Sequence, residues 1–155
     1  MCIVPVMVHH VDSPHKEYKV YAIVDNCSQG TFGTNDLLFN KLGIVGRKTS
    51  LSMETALVNE RIDTFAVDGP VVRCTDEHKL QYPKSQDVKI PTTYSRESLP
   101  ADKNDVASKN NVLPFKHLKD IAKHIPDYDE DIPIGLLIGQ DCPRAQEPHE
   151  TIHGV

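Results

Sequence analysis

The chain has 155 residues, of which 39% are hydrophobic, and it carries a net charge of −5. This length fits one domain with its own core. The acidic balance, without a segment that concentrates lysine and arginine on one face, argues against direct nucleic-acid binding. No stretch approaches the roughly 20 apolar residues of a membrane span, and the short apolar start lacks the other parts of a signal peptide. We therefore expect no membrane partner, and a chain that is cytoplasmic or belongs to a cytoplasmic polyprotein or particle.

Four cysteines stand apart from one another in the sequence: Cys2, Cys27, Cys74 and Cys142. None forms a C-x-x-C pair, which excludes a zinc ribbon and a thioredoxin-type motif. This spacing fits reduced thiols, although an even number of cysteines leaves disulfides open.

The first quarter of the chain predicts a β-hairpin. Apolar residues over 3–8 and 19–24 indicate two strands, with a turn signal at 12–14. Pro5 makes the first strand an edge strand or a bulged one, because proline cannot donate a hydrogen bond to a neighbouring strand.

A short helix and a second hairpin are predicted next. Thr34 or Asn35 can begin the helix and Gly43 can end it. Segment 50–72 is rich in strand-forming residues and predicts a hairpin over 51–67. The predicted tip consists of Leu57, Val58, Asn59 and Glu60.

The second half of the chain is less regular. Segment 75–111 is polar and reads as a loop-rich insertion, with one strand around 88–90. An amphipathic helix is predicted over 115–125. The run 134–138 is apolar on both faces, which indicates a central strand, and Asp141 is expected to cap a short final helix. His9, His10, His117 and His124 are expected on solvated faces.

The clearest functional signal is Asp25, which directly follows the apolar run that ends at Val24. A carboxylate at the end of a buried strand is costly to hold there alone. It is explained if a second carboxylate and a water meet it, so we interpret Asp25 as a catalytic residue. Small polar residues form the loop after it: Asn26, Cys27, Ser28 and Gln29.

The order of three segments resembles the retropepsin-like domain of Pao/BEL-type retroelement polyproteins. The matching segments are 25–32 with Leu37-Leu38 and Leu42-Gly43; Tyr94-Ser95-Arg96 with 99–102; and 135–139 with Cys142-Pro143 and Glu147-Pro148. The resemblance covers nearly the whole chain.

The resemblance implies a fold and an activity. The fold would be mainly β: a single domain over 1–155, built as a small closed β-barrel of the retropepsin, or acid protease, type, with one or two short helices and the polar insertion 75–111. The activity would be that of an aspartic endopeptidase that processes a polyprotein, with one Asp25 per chain, a homodimer as the working unit, and neither a cofactor nor a metal. Leu137, Ile138 and Gly139 would brace the Asp25 loop, and the 51–67 hairpin would form a flap over the peptide substrate.

Three alternatives remain open from the residues. Most aspartic proteases follow the catalytic Asp with Ser or Thr and then Gly, whereas Asn26 and Cys27 stand here, so the chain could be an inactive relic or a domesticated interaction module. His149-Glu150-Thr151-Ile152-His153 matches the H-E-x-x-H pattern of zinc hydrolases, although Pro148 and Gly154 leave little room for a helix. Cys27 could be a nucleophile, although its neighbours are acidic.

Overall fold

The computed structural model describes residues 2–54, 56–81 and 83–147, which form one nine-stranded sheet. The strands are β1 (Cys2–His10), β2 (Ser13–Val24), β3 (Thr31–Thr34), β4 (Arg47–Glu54), β5 (Asn59–Val67), β6 (Pro70–Cys74), β7 (Val88–Lys89), β8 (Thr93–Arg96) and β9 (Ile134–Ile138). Their order across the sheet is β4-β5-β8-β3-β9-β2-β1-β6-β7. Short helical segments are Asp36–Lys41, Asp76–Gln81, Lys103–Asp105, Lys109–Val112, Lys116–Leu118, Lys119–Ala122 and Pro143–Gln146.

The sheet is open, so the mainly β prediction is confirmed while the predicted closure into a barrel is wrong for this chain. Closure would require the two outermost strands, β4 and β7, to pair with each other, and they do not. Strand β7 offers only two residues for pairing. Strand β4 begins with the exposed cations Arg47 and Lys48, which are typical of an edge that stays unpaired.

The first hairpin matches its prediction, with Cys2 opposite Val24 and Val8 opposite Tyr18. Strand β1 is not a simple edge strand, because β6 pairs with its second half from Val6 to His10. Pro5 lies in the first half, where β2 is the one described neighbour. Proline has no N–H to donate, but at this position no hydrogen bond between β1 and β6 is lost.

The predicted short helix is present at Asp36–Lys41. The hydroxyl of Thr34 accepts a hydrogen bond from the Leu37 amide at 3.3 Å. The chain leaves the helix at Gly43, whose φ of 66° is a conformation that glycine adopts without strain. Leu37 and Leu38 are buried and attach the helix to the sheet.

The second hairpin is also present, but its tip lies earlier than predicted. Strands β4 and β5 are antiparallel, from Arg47 opposite Ala66 to Glu54 opposite Asn59. The connection is therefore 55–58, of which 56–58 are described, and Asn59 and Glu60 already belong to β5. The turn lacks an Asn-Gly pair, so the sequence could not fix its register.

Strand β8 lies inside the segment predicted as a loop-rich insertion and was missed. It is parallel to β3 and antiparallel to β5, which makes it an interior strand. Its inward residues are Thr93 and Ser95, which are buried although they are polar. Thr64 donates a hydrogen bond to the carbonyl of Ser95 at 2.8 Å. A strand that buries hydroxyl groups has no hydrophobic alternation to detect. The strand predicted around 88–90 corresponds to β7.

The predicted amphipathic helix over 115–125 is wrong in its length. The chain forms two short helical turns instead, Lys116–Leu118 and Lys119–Ala122. Phe115 is 53% exposed, and Ala122 is the buried residue of the second turn. The apolar residues of this segment have little to pack against, so their helical spacing does not produce a longer helix.

The core lies on both faces of the central strands, as the apolar run 134–138 predicted. One cluster includes Val20, Ala22 and Leu136, and the other includes Ile23 and Leu137. Side chains alternate between the two faces along each strand. Both faces of β2 and β9 are therefore covered, which fixes the register of the strands on either side of Asp25.

His9 is 7% exposed, so the expectation of a solvated face is wrong for this residue, whose Nδ1 lies 3.6 Å from Glu17 Oε2. Within the described ranges, no helix has the length and apolar character needed to cross a membrane.

Candidate active site

Strand order places the Asp25 loop over the end of β9. Strands β2 and β3 are consecutive in the chain, yet β9 lies between them in the sheet. Ile23 is opposite Leu137 in the parallel pair, and Phe32 is opposite Leu137 in the antiparallel pair. The connection 25–30 must therefore cross the carboxyl end of β9, where Gly139 follows the strand.

Backbone hydrogen bonds fix this connection at both ends. The amide of Asp25 donates to the carbonyl of Ile138 at 3.0 Å. The amide of Gln140 donates to the carbonyl of Ser28 at 2.8 Å, and the Gln140 side-chain amide donates to the carbonyl of Asn26. The loop is thus positioned by residues more than 100 positions away in the sequence.

Gly139 is required here by space. A Cβ atom on this residue would lie 2.7 Å from the carbonyl oxygen of Ser28 and closer still to that of Gly30. Both contacts are with backbone, which cannot rotate away. The structure therefore brings Ile138 and Gly139 into contact with the loop, while Leu137 packs one position below, in the cluster with Ile23.

The Asp25 carboxylate has polar contact but no counter-ion in the described chain. Its Oδ1 accepts a hydrogen bond from the Cys27 amide at 2.9 Å. Among residues 2–54, 56–81 and 83–147, no ion pair joins it to lysine, arginine or histidine. Asp25 is also half-buried rather than fully solvated.

The rest of the loop faces solvent. Asn26, Cys27 and Gln29 are exposed, and the half-buried Ser28 donates its hydroxyl to the carbonyl of Gly30 at 2.9 Å. The Cys27 thiol is 3.6 Å from Asn26 Oδ1, an arrangement in which the thiol donates. No hydrogen bond joins the thiol to a histidine among the described residues, which weighs against the cysteine-nucleophile alternative.

Besides Gln140, three residues that contact the loop and its support were missed or given another role from the sequence. Thr31 donates to Asp141 Oδ1 at 2.7 Å and accepts from the Gly139 amide at 3.2 Å. Gln146 donates to the Gly139 carbonyl at 2.7 Å. The predicted helix-capping role of Asp141 is wrong, because the helix at Pro143–Gln146 begins at Cys142 without a side-chain cap. The one sequence signal for these contacts is the polar pair Gln140-Asp141, which directly follows a buried strand.

All four cysteines are free, and their placement separates them. Cys27 is exposed in the Asp25 loop, whereas Cys142 is buried just after the turn that follows β9. Burial raises the pKa of the Cys142 thiol, which keeps it protonated and suits a packing role.

The predicted flap lies at the edge of the sheet. Leu57 is 94% exposed and Val58 is 54% exposed. Two surface grooves border the β4–β5 hairpin, one of them about 260 Å³ in volume and lined by Phe39, Phe65 and Arg96 among others. Neither groove is lined by a residue of the Asp25 loop, so the single chain does not enclose its candidate carboxylate there.

No metal centre is found in the part of the chain that the structure describes, where no three His, Cys, Asp or Glu side chains are grouped to hold an ion. The H-E-x-x-H pattern at 149–153 lies outside the described residues. Comparisons with protein-family models, with curated proteins and with solved structures find no match to this chain.

Proposed function

We propose that this chain is one protomer of a homodimeric aspartic endopeptidase of the retropepsin-like, Pao/BEL retroelement type, which cleaves peptide bonds in a polyprotein. Asp25 is its catalytic carboxylate. The observation that carries the proposal is the position of Asp25 on a loop anchored across the end of β9, with no cation paired to it in the described chain.

The open surroundings of Asp25 support a dimer. One chain supplies one such carboxylate, and aspartic catalysis uses two. A symmetric pair would place two Asp25 loops at the twofold axis, where each protomer contributes the same surface. Two carboxylates held that close share one proton, because both cannot be ionised at once.

The chemistry then divides between the two copies of Asp25. The ionised carboxylate takes a proton from a water, whose oxygen attacks the carbonyl carbon of the scissile bond. The protonated carboxyl donates a hydrogen bond to the carbonyl oxygen, which gains negative charge. The proton taken from water later passes to the leaving nitrogen. The β4–β5 hairpin is the element that would close over the substrate.

A second candidate function is a binding module of the same fold that no longer cleaves. Cys27 favours it, because a side chain stands where most aspartic proteases have glycine. The structure accommodates that side chain by exposing it to solvent and placing its thiol against Asn26 Oδ1. The same exposure would put a thiol near the second protomer.

The deciding experiment is cleavage of a peptide library by the purified chain, with and without a statine-type transition-state analogue. Aspartic chemistry predicts cleavage that the analogue blocks. A chelator should leave cleavage unchanged, since Asp25 needs no metal, and loss of activity on chelation would favour the zinc hydrolase. Loss on alkylation, with the Cys27→Ala variant inactive, would favour a cysteine nucleophile. Absence of cleavage across the library, with the fold intact, would favour the binding module.

A further inference from the structure

Thr31 joins two parts of the molecule that meet beneath the Asp25 loop. It is the first residue of β3 and is fully buried. Its hydroxyl makes two hydrogen bonds, one of 2.7 Å to Asp141 Oδ1 and one of 3.2 Å with the amide of Gly139. Both partners lie 108 or more positions away in the sequence, in the turn that follows β9.

The direction of each bond follows from the chemistry of the groups. The Gly139 amide can only donate, so the Thr31 oxygen accepts there. An ionised Asp141 can only accept, so the single hydroxyl proton of Thr31 points to the carboxylate. A hydrogen bond to an ionised acceptor is stronger than one between neutral groups. Asp141 therefore fixes the rotation of the Thr31 hydroxyl and leaves its lone pair facing Gly139.

The position of Gly139 in turn decides where the Asp25 loop lies. The carbonyl oxygens of Ser28 and Gly30 approach Gly139 so closely that no Cβ atom fits. On either side of it, the Ile138 carbonyl and the Gln140 amide hold the loop by hydrogen bonds of 3.0 and 2.8 Å. A displacement of Gly139 would therefore be transmitted to Asp25.

We propose that Thr31 and Asp141 are positioning residues for Asp25, acting through Gly139. Their effect on catalysis rests on the proposed function, whereas their effect on the loop does not. Displacement of a reacting group by about 1 Å can slow a reaction about 100-fold, even when the altered residue is remote from the chemistry. The pair should therefore control turnover more than substrate binding.

The kinetic experiment uses two disruptive variants, each with a conservative control. Thr31→Val removes the hydroxyl, and Thr31→Ser keeps it. Asp141→Ala removes the acceptor, and Asp141→Asn keeps an oxygen acceptor at the same place. We expect the two disruptive variants to lower kcat about 10- to 100-fold with KM changed less than about twofold, and the two controls to stay within about threefold of the parent. Equal kcat values for Thr31→Val and Thr31→Ser, or an unchanged kcat in Asp141→Ala, would overturn the proposal.

A second readout does not depend on peptidase activity. The Cys27 amide donates to Asp25 Oδ1, so its NMR chemical shift follows the ionisation of that carboxylate. Amide hydrogen exchange at Gly139 and Asp25 reports the bonds that anchor the loop. In Thr31→Val and Asp141→Ala, we expect faster exchange at both amides relative to Leu137, with a changed titration of the Cys27 signal. Thr31→Ser and Asp141→Asn should resemble the parent.

The two readouts separate failure of this proposal from failure of the proposed function. If the parent cleaves no peptide but the exchange pattern holds, the peptidase assignment fails and the positioning role survives. If the parent cleaves and the exchange pattern does not change, the positioning role fails alone. Asp141 is exposed, so Asp141→Ala keeps the test decisive if Thr31→Val does not fold.

Discussion

Strand β2 carries one carboxylate, Glu17, and leads directly to a second, Asp25. The two have opposite electrostatic surroundings. Glu17 lies in the first half of the strand, and Asp25 follows its last residue, about 26 Å further along an extended chain. Glu17 is bound by Arg73 through two hydrogen bonds of 2.5 and 2.8 Å, whereas Asp25 has no cationic partner in the described chain.

The surroundings of Glu17 form an ion network. Arg73 also donates to Asp76 Oδ1 at 2.9 Å, and Nδ1 of the buried His9 lies 3.6 Å from Glu17 Oε2. The hydrogen bonds from Arg73 hold the pKa of Glu17 below its usual value, and the pKa of Arg73 is raised in return. A carboxylate held in this way stays ionised and serves stability.

The Asp25 end is organised in the opposite way. Backbone amides, the hydroxyl of Thr31 and the side chain of Gln140 fix the loop without an ion pair to Asp25. The contrast teaches that this fold uses different interactions to position its two carboxylates. Glu17 is thus held by an ion pair, whereas the Asp25 loop is held by hydrogen bonds.

The largest expected effect is that of Asp25→Asn on catalysis. We expect peptidase activity to fall at least about 1,000-fold, because an amide cannot act as a base. The melting temperature should stay close to that of the parent, since no ion pair is lost. Asp131→Asn changes an exposed carboxylate and serves as the matched control, with activity kept. Survival of activity in Asp25→Asn would show that the aspartic mechanism is wrong.

The pH–rate profile should distinguish a paired Asp25 from a lone nucleophile. Two carboxylates that share a proton titrate in two steps, and the second step lies above the free aspartate value of about 3.9. We therefore expect an acid-to-neutral optimum and a decline of about tenfold per pH unit above the second step. A rate that rises steadily into the alkaline range would point to Cys27 or to a metal-bound hydroxide.

Gly139→Ala should break the close backbone contact that holds the Asp25 loop. The new methyl group would overlap the backbone carbonyls of Ser28 and Gly30, which we expect to lower the free energy of unfolding by about 1–3 kcal/mol. Gly30→Ala is the matched control in the same loop, because its Cβ would meet only the Phe32 ring, at 3.6 Å. Chemical denaturation of both variants gives the measurement, and equal stability would contradict the described contact.

Glu17→Gln should have the smallest effect, confined to stability. The Glu17–Arg73 pair is partly exposed, so we expect a loss of about 1–2 kcal/mol, between the values for surface and buried pairs. Because the folded-state pKa of Glu17 is lowered, its contribution is complete above the unfolded value of 4.5 and is lost as the pH falls through the folded value.

Below pH 4.5, the free energy of unfolding should therefore change less with pH in Glu17→Gln than in the parent. Arg47→Met, which breaks the exposed pair with Asp68, is the control and should cost less. A large loss of kcat in Glu17→Gln would contradict the separation of the two ends.

The sequence predicts an element correctly where one periodic signal dominates. The apolar runs before Asp25 and over 134–138 predicted β2 and β9, and Gly43 marked the end of a helix. Strand β8 was missed because Thr93 and Ser95 fill its buried positions with hydroxyls. The burial of His9 was not predicted because β1 lies between β2 and β6 in the sheet, which no local pattern shows.

The candidate site divides in the same way. Asp25 and Gly139 could be named from their local patterns. The hydrogen bonds of Thr31 with Asp141 and Gly139 could not, because they join segments that only the strand order of the sheet brings together. Closure of the sheet into a barrel also depends on pairing between its two edge strands, which no local pattern encodes.

The central claim is that two copies of Asp25 form one site, and mixing parent chains with Asp25→Asn chains tests it most directly. Random pairing at equal amounts leaves about one quarter of the dimers with two aspartates. We predict that activity, at fixed total protein, falls to about one quarter of that of the parent, and that specific activity declines on dilution as sedimentation shows dissociation. The paired site would be contradicted if the mixture kept one half of the parent's activity and a species that sediments strictly as a monomer had full specific activity.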